Sequence, residues 1–159
     1  MEVTHFSAKG ALTEAELAVL WDQVRDGFVV DGSLTDIHVE NTSEDQWQQF
    51  LEWLHAGPYK TEYVYGDHPL LLPKDPRELF LKREERHLIR IDIGDVWLHC
   101  HCFSVDEIEL DIDQSEVNDP VRFGRLMRFI AGFAGAVGGD VIVTPENFKQ
   151  GTFLVVHSS

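Results

Sequence analysis

Between residues 87 and 113 apolar and polar side chains alternate almost without interruption. Ile89, Ile91 and Ile93 interleave with Leu88, Arg90 and Asp92, which is the period-two pattern of a strand with one buried face. Gly94-Asp95 follows as a two-residue hairpin turn. Beyond it Val96, Leu98, Cys100 and Cys102 continue the apolar face and leave Trp97, His99, His101 and Phe103 on the other. A third strand over 107–113 turns Ile108, Leu110 and Ile112 inward and Glu107, Glu109, Asp111 and Asp113 outward. The segment predicts an antiparallel β-meander.

Elsewhere the spacing becomes helical. Thr13-Glu14-Ala15-Glu16 reads as a capping box ahead of the stripe Leu17, Leu20, Trp21 and Val24, so a helix is predicted to about Asp26 with Gly27 at its exit. Thr42 or Ser43 caps a second helix, with Glu44 and Asp45 in its first turn, Trp47, Phe50, Leu51 and Leu54 buried, and Gly57-Pro58 as its stop. Asp119-Pro120 opens a third, reaching about Val137 and burying Leu126, Phe129, Ile130, Phe133 and Val137 before Gly138-Gly139 ends it.

Short strands are expected over 3–6, 36–39, 59–65, 141–143 and 152–156. The segment 66–76 carries Pro69, Pro73 and Pro76 and predicts an ordered loop without regular structure, with Asp75-Pro76 capping a short helix over 77–82. The fold class that follows is α+β: a two-layer arrangement spanning residues 1–159 as one globular domain, in which about three helices pack on one face of a mainly antiparallel sheet built around the central meander. Its other face is then at least partly open to solvent.

Composition narrows the function. The 159 residues are 43% hydrophobic, ample for a core, and carry a formal net charge of −15. So acidic a chain is a poor ligand for DNA or RNA, because phosphate binding draws its affinity from Lys and Arg displacing counterions. No apolar run approaches the roughly 18–20 residues that span a bilayer, and the first residues lack a basic segment followed by an apolar one. A soluble, cytoplasmic protein with no membrane partner is the expectation. Cys100 and Cys102, separated by one residue, are expected to be reduced core thiols.

Candidate chemistry centres on the polar face of the meander. His99-Cys100-His101-Cys102 cannot act as one zinc site, because alternate side chains on a strand point to opposite faces. His99 and His101 do share a side, however, and with a neighbouring carboxylate such as Glu109 they offer a metal site with open positions. That pairing makes a metal-dependent enzyme the alternative function. Other motifs fail. Asp111-x-Asp113 has Glu116 where a calcium loop needs glycine, and Gly132, Gly135, Gly138 and Gly139 lie late in a helix or at its end, unlike a phosphate-cradling loop. Arg122, Arg125 and Arg128 read as a solvated helix face or as partners of nearby acids.

Charge placement points further. Between Arg90 and Arg122 there is no Lys or Arg, while nine acids occur: Asp92, Asp95, Asp106, Glu107, Glu109, Asp111, Asp113, Glu116 and Asp119. One-signed tracts repel themselves, and in small acidic inhibitors and immunity-type proteins they speed encounter with a basic partner. The leading expectation is therefore a non-enzymatic binding protein, without cofactor, that docks a basic protein through Trp97, His99, His101, Glu107, Glu109, Asp111 and Asp113.

Overall fold

A computed structural model describes residues 2–10 and 12–159. The chain runs β1 (Thr4–Ser7), α1 (Glu14–Val24), β2 (Thr35–Glu40), α2 (Glu44–Ala56), β3 (Lys60–Tyr65), β4 (His68–Leu70), α3 (Arg77–Phe80), β5 (His87–Asp92), β6 (Trp97–Cys100), β7 (Glu107–Ile112), α4 (Pro120–Val137), β8 (Val141–Pro145) and β9 (Leu154–His157). The fold is α+β. Among the described residues the strands join one nine-stranded sheet in the order β1-β9-β8-β2-β7-β6-β5-β3-β4.

Local chemistry sets the helix starts. The Thr13 hydroxyl accepts from the Glu16 backbone N–H, Ser43 and Gln46 form a reciprocal capping box on α2, and the Asp119 carboxylate accepts from the Arg122 N–H at 2.8 Å with Pro120 behind it. These caps satisfy backbone donors that a helix leaves unpaired. At the far end of α4, Gly138 takes the left-handed conformation at φ 62° and stops the helix.

The meander forms as expected. Ile89 pairs with Cys100, Arg90 with His99 and Ile91 with Leu98, and β7 lies on the other side of β6. Ile89, Ile91, Leu98, Cys100, Leu110 and Phe129 are all fully buried in one core between the sheet and the helices. Gly94 and Asp95 both have positive φ, as a two-residue hairpin turn requires.

Four local expectations need correction. Residues 66–76 are not wholly irregular: β4 pairs back on β3 through a tight turn at Gly66, whose φ is 64°. The first helix does not exit at Gly27. Its α-helical part stops at Val24, and a 3-10 turn, Arg25–Phe28, continues. Gly27 is required by packing instead, since a Cβ there would stand 2.5 Å from the Phe153 ring. The short helix expected over 77–82 ends at Phe80. Finally, β6 ends at Cys100, and Cys102 turns the chain with φ 52°.

The ends of the chain meet. β1 runs parallel to β9, with Phe6 opposite Val156, the one parallel pair among the described residues. β2 is central, flanked by β7 and β8. Among the described residues no helix is long and apolar enough to cross a membrane.

Candidate functional site

Because helices cover only one face, the opposite face keeps its polar side chains. A row of register partners crosses it: Glu62 on β3, Arg90 on β5, His99 on β6, Asp111 on β7, Asp36 on β2 and Thr144 on β8. On the next row Glu109 stands opposite His38. Strand alternation puts these groups on one side, and the buried neighbours Ile37, Leu98 and Leu110 hold the backbone beneath them.

At one end of the row charge is neutralised locally. Arg90 donates to Glu62 at 3.0 Å, and its guanidinium lies 4.7 Å from the centre of the Trp97 ring. In the middle, Asp111 serves both predicted histidines: Oδ2 lies 2.7 Å from His101 Nε2 and Oδ1 lies 3.6 Å from His99 Nδ1. Burial alone would raise the Asp111 pKa, but its hydrogen bond to His101 and the nearby His99 imidazole outweigh that and hold it below the usual carboxylate range. The same hydrogen bond lifts His101 above its ordinary value. Phe103 stacks on His101 with ring centres 5.3 Å apart while remaining 57% exposed.

The other predicted acids divide. Glu107 accepts from His38 Nδ1 at 2.6 Å and from Lys149 Nζ at 3.0 Å. Asp111 rather than Glu109 is the carboxylate between His99 and His101, whereas the Glu109 carboxylate groups with Asp36 and His38 on β2. Asp113 sits beyond the end of β7, where its Oδ1 accepts from the Ser115 backbone and hydroxyl and caps a 3-10 turn, Gln114–Glu116. The cysteines are free and buried with sulfurs 4.0 Å apart, and their mutual hydrogen bond and burial push the Cys102 thiol well up. Arg122 and Arg125 pair with Asp119 and Asp95.

Asp36 and His38 were not foreseen as site residues. Each is only 3% exposed, and their i, i+2 spacing, alternating with the apolar Ile37 and Val39, is the one signal the sequence carries. They line a cavity of about 370 Å³ together with Glu107, Glu109, Asn147 and Lys149. The segment after β8 forms its far wall. There the Asn147 backbone N–H donates to Asp36 Oδ2 at 2.9 Å, and Lys149 reaches Glu107. Burial raises the pKa of both Asp36 and Glu109.

Compared with known proteins, the chain matches no family model, no curated protein and no solved structure.

Proposed function

We propose that this chain is a non-enzymatic acidic binding protein that docks a basic protein partner on the uncovered face of its sheet. One observation carries the reading: the chain's own Lys149 ammonium is seated between Glu107 at 3.0 Å and Glu40 at 3.8 Å, on acids that β7 and β2 present side by side. This is the contact a partner's lysine would make. Arg90 over the Trp97 ring is a second intramolecular example, of a guanidinium on an aromatic face. Glu109 and Asp111 extend the acidic surface, and Phe103 supplies an exposed aromatic beside it. With a net charge of −15, long-range attraction accelerates encounter with a cationic partner, as an inhibitor or immunity-type protein requires.

The test is a partner captured from the native host and then measured against charge variants. Association is expected to slow by about tenfold between low and physiological salt. The combined Glu107→Gln, Glu109→Gln, Asp111→Asn and Asp113→Asn variant should slow it further and flatten the salt dependence. A partner whose association ignores both salt and these substitutions would sink the proposal.

A further inference from the structure

We propose that Asp36, His38 and Glu109 bind one divalent transition-metal ion, with the cavity above them supplying the remaining coordination positions. Their ligand atoms lie within 4.8 Å of one another. Asp36 and His38 share the face of β2, and Glu109 is the register partner of His38 on β7, so all three stand on rigid paired strands. One imidazole nitrogen with two carboxylates is a donor set suited to zinc, manganese or iron(II) rather than to calcium or magnesium, which favour oxygen alone.

The orientation of His38 is an independent pointer to a cation. Its Nδ1 lies 2.6 Å from Glu107 Oε1, so the ring gives its Nδ1–H to that carboxylate and presents Nε2 on its opposite side. Nε2 faces the Thr144 hydroxyl at 3.3 Å and Asp36 Oδ2 at 3.9 Å. The hydroxyl also lies 3.0 Å from the Pro145 carbonyl, to which it donates. On a side chain only 3% exposed, Nε2 is thus turned toward the Asp36 carboxylate and the cavity it lines. The Glu107–His38 contact is the carboxylate–histidine arrangement that orients a ligating imidazole. Lys149 meets Glu107 rather than the three ligands.

The experiment is calorimetric titration of the metal-stripped full chain with Zn²⁺ and, separately, Mn²⁺, alongside Mg²⁺ and Ca²⁺. One equivalent of Zn²⁺ or Mn²⁺ is expected, with at least tenfold weaker binding of Mg²⁺ and Ca²⁺. Glu109→Gln and His38→Ala should each weaken Zn²⁺ binding more than tenfold, and Glu107→Gln by about tenfold through loss of ring orientation. The His99→Ala/His101→Ala double variant should bind as the parent does. Should His38→Ala fail to fold, the half-buried Glu109→Gln decides, with a melting curve confirming that it folds. No saturable Zn²⁺ or Mn²⁺ binding by the parent would overturn the proposal, and so would binding that survives Glu109→Gln or vanishes in the His99/His101 variant.

Discussion

Asp111 on β7 bridges to His101, its Oδ2 lying 2.7 Å from Nε2, across a gap that strand pairing alone does not close. Regular pairing ends at Cys100, and the left-handed turn at Cys102 leaves His101 at the end of the strand, against Phe103. The pair gives this face a pH response. His101 should titrate above about 6.5 and Asp111 below about 3.9, and Asp111→Asn should return His101 toward its ordinary value, as NMR titration would record. The raised His101 pKa contributes stability that is present below about pH 6.5 and lost as pH rises through the folded value. Asp111 contributes stability that is present above about pH 3.9 and lost as pH falls through its depressed value. Stability from this pair therefore peaks between those limits. A depressed His101 pKa would show a dry, covered face and would also remove the docking proposal.

Truncation should separate the two faces of the meander. Ile89→Ala, Leu98→Ala, Leu110→Ala and Phe129→Ala, each at a fully buried position, should destabilise by about 2–5 kcal/mol in denaturant unfolding. Glu107→Ala should cost less, about 1–3 kcal/mol, because it strands the buried His38 N–H without its acceptor. Equal small losses across the set would mean that the packed face has been misassigned.

Gly27→Ala should destabilise by about 1–3 kcal/mol, as overpacking does, since the new methyl would meet the Phe153 ring. Combining it with Phe153→Leu should recover part of the loss. A thermally neutral Gly27→Ala would contradict the packing described for the 3-10 turn.

Tyr63 should ionise late. Its buried hydroxyl lies 2.5 Å from His87 Nδ1, and burial pushes its pKa up to about 12. Burial also raises Tyr59, so ultraviolet titration should show a late-ionising tyrosine phase that is diminished in Tyr63→Phe. Because the folded pKa lies above the unfolded value of about 10, the stability Tyr63 contributes is complete below about pH 10 and lost as pH rises toward the folded value.

Amide exchange should be slow in β5 and β6, which are paired on both sides within the sheet, and fast along β4, whose residues are exposed at its edge. Uniform protection of both would argue that β4 is covered in solution.

Which parts of this were legible in the sequence follows from the range of each interaction. The meander could be read because Ile89, Ile91, Leu98, Ile108, Leu110 and Ile112 repeat every second residue and Gly94-Asp95 sets the hairpin register. Caps at Thr13, Ser43 and Asp119 lie within a turn of the donors they satisfy, so they too are local. The Arg90–His99 pairing followed directly from the turn. Tertiary structure alone decided that β2 lies against β7, which brings Asp36 and His38 to Glu107 and Glu109 from a distant part of the chain. It also decided that the segment carrying Lys149 folds over them, and that β1 pairs in parallel with β9. Periodicity reports which face of an element is apolar. Which elements become neighbours depends on how those faces share one core, and no spacing within β2 encodes its partner.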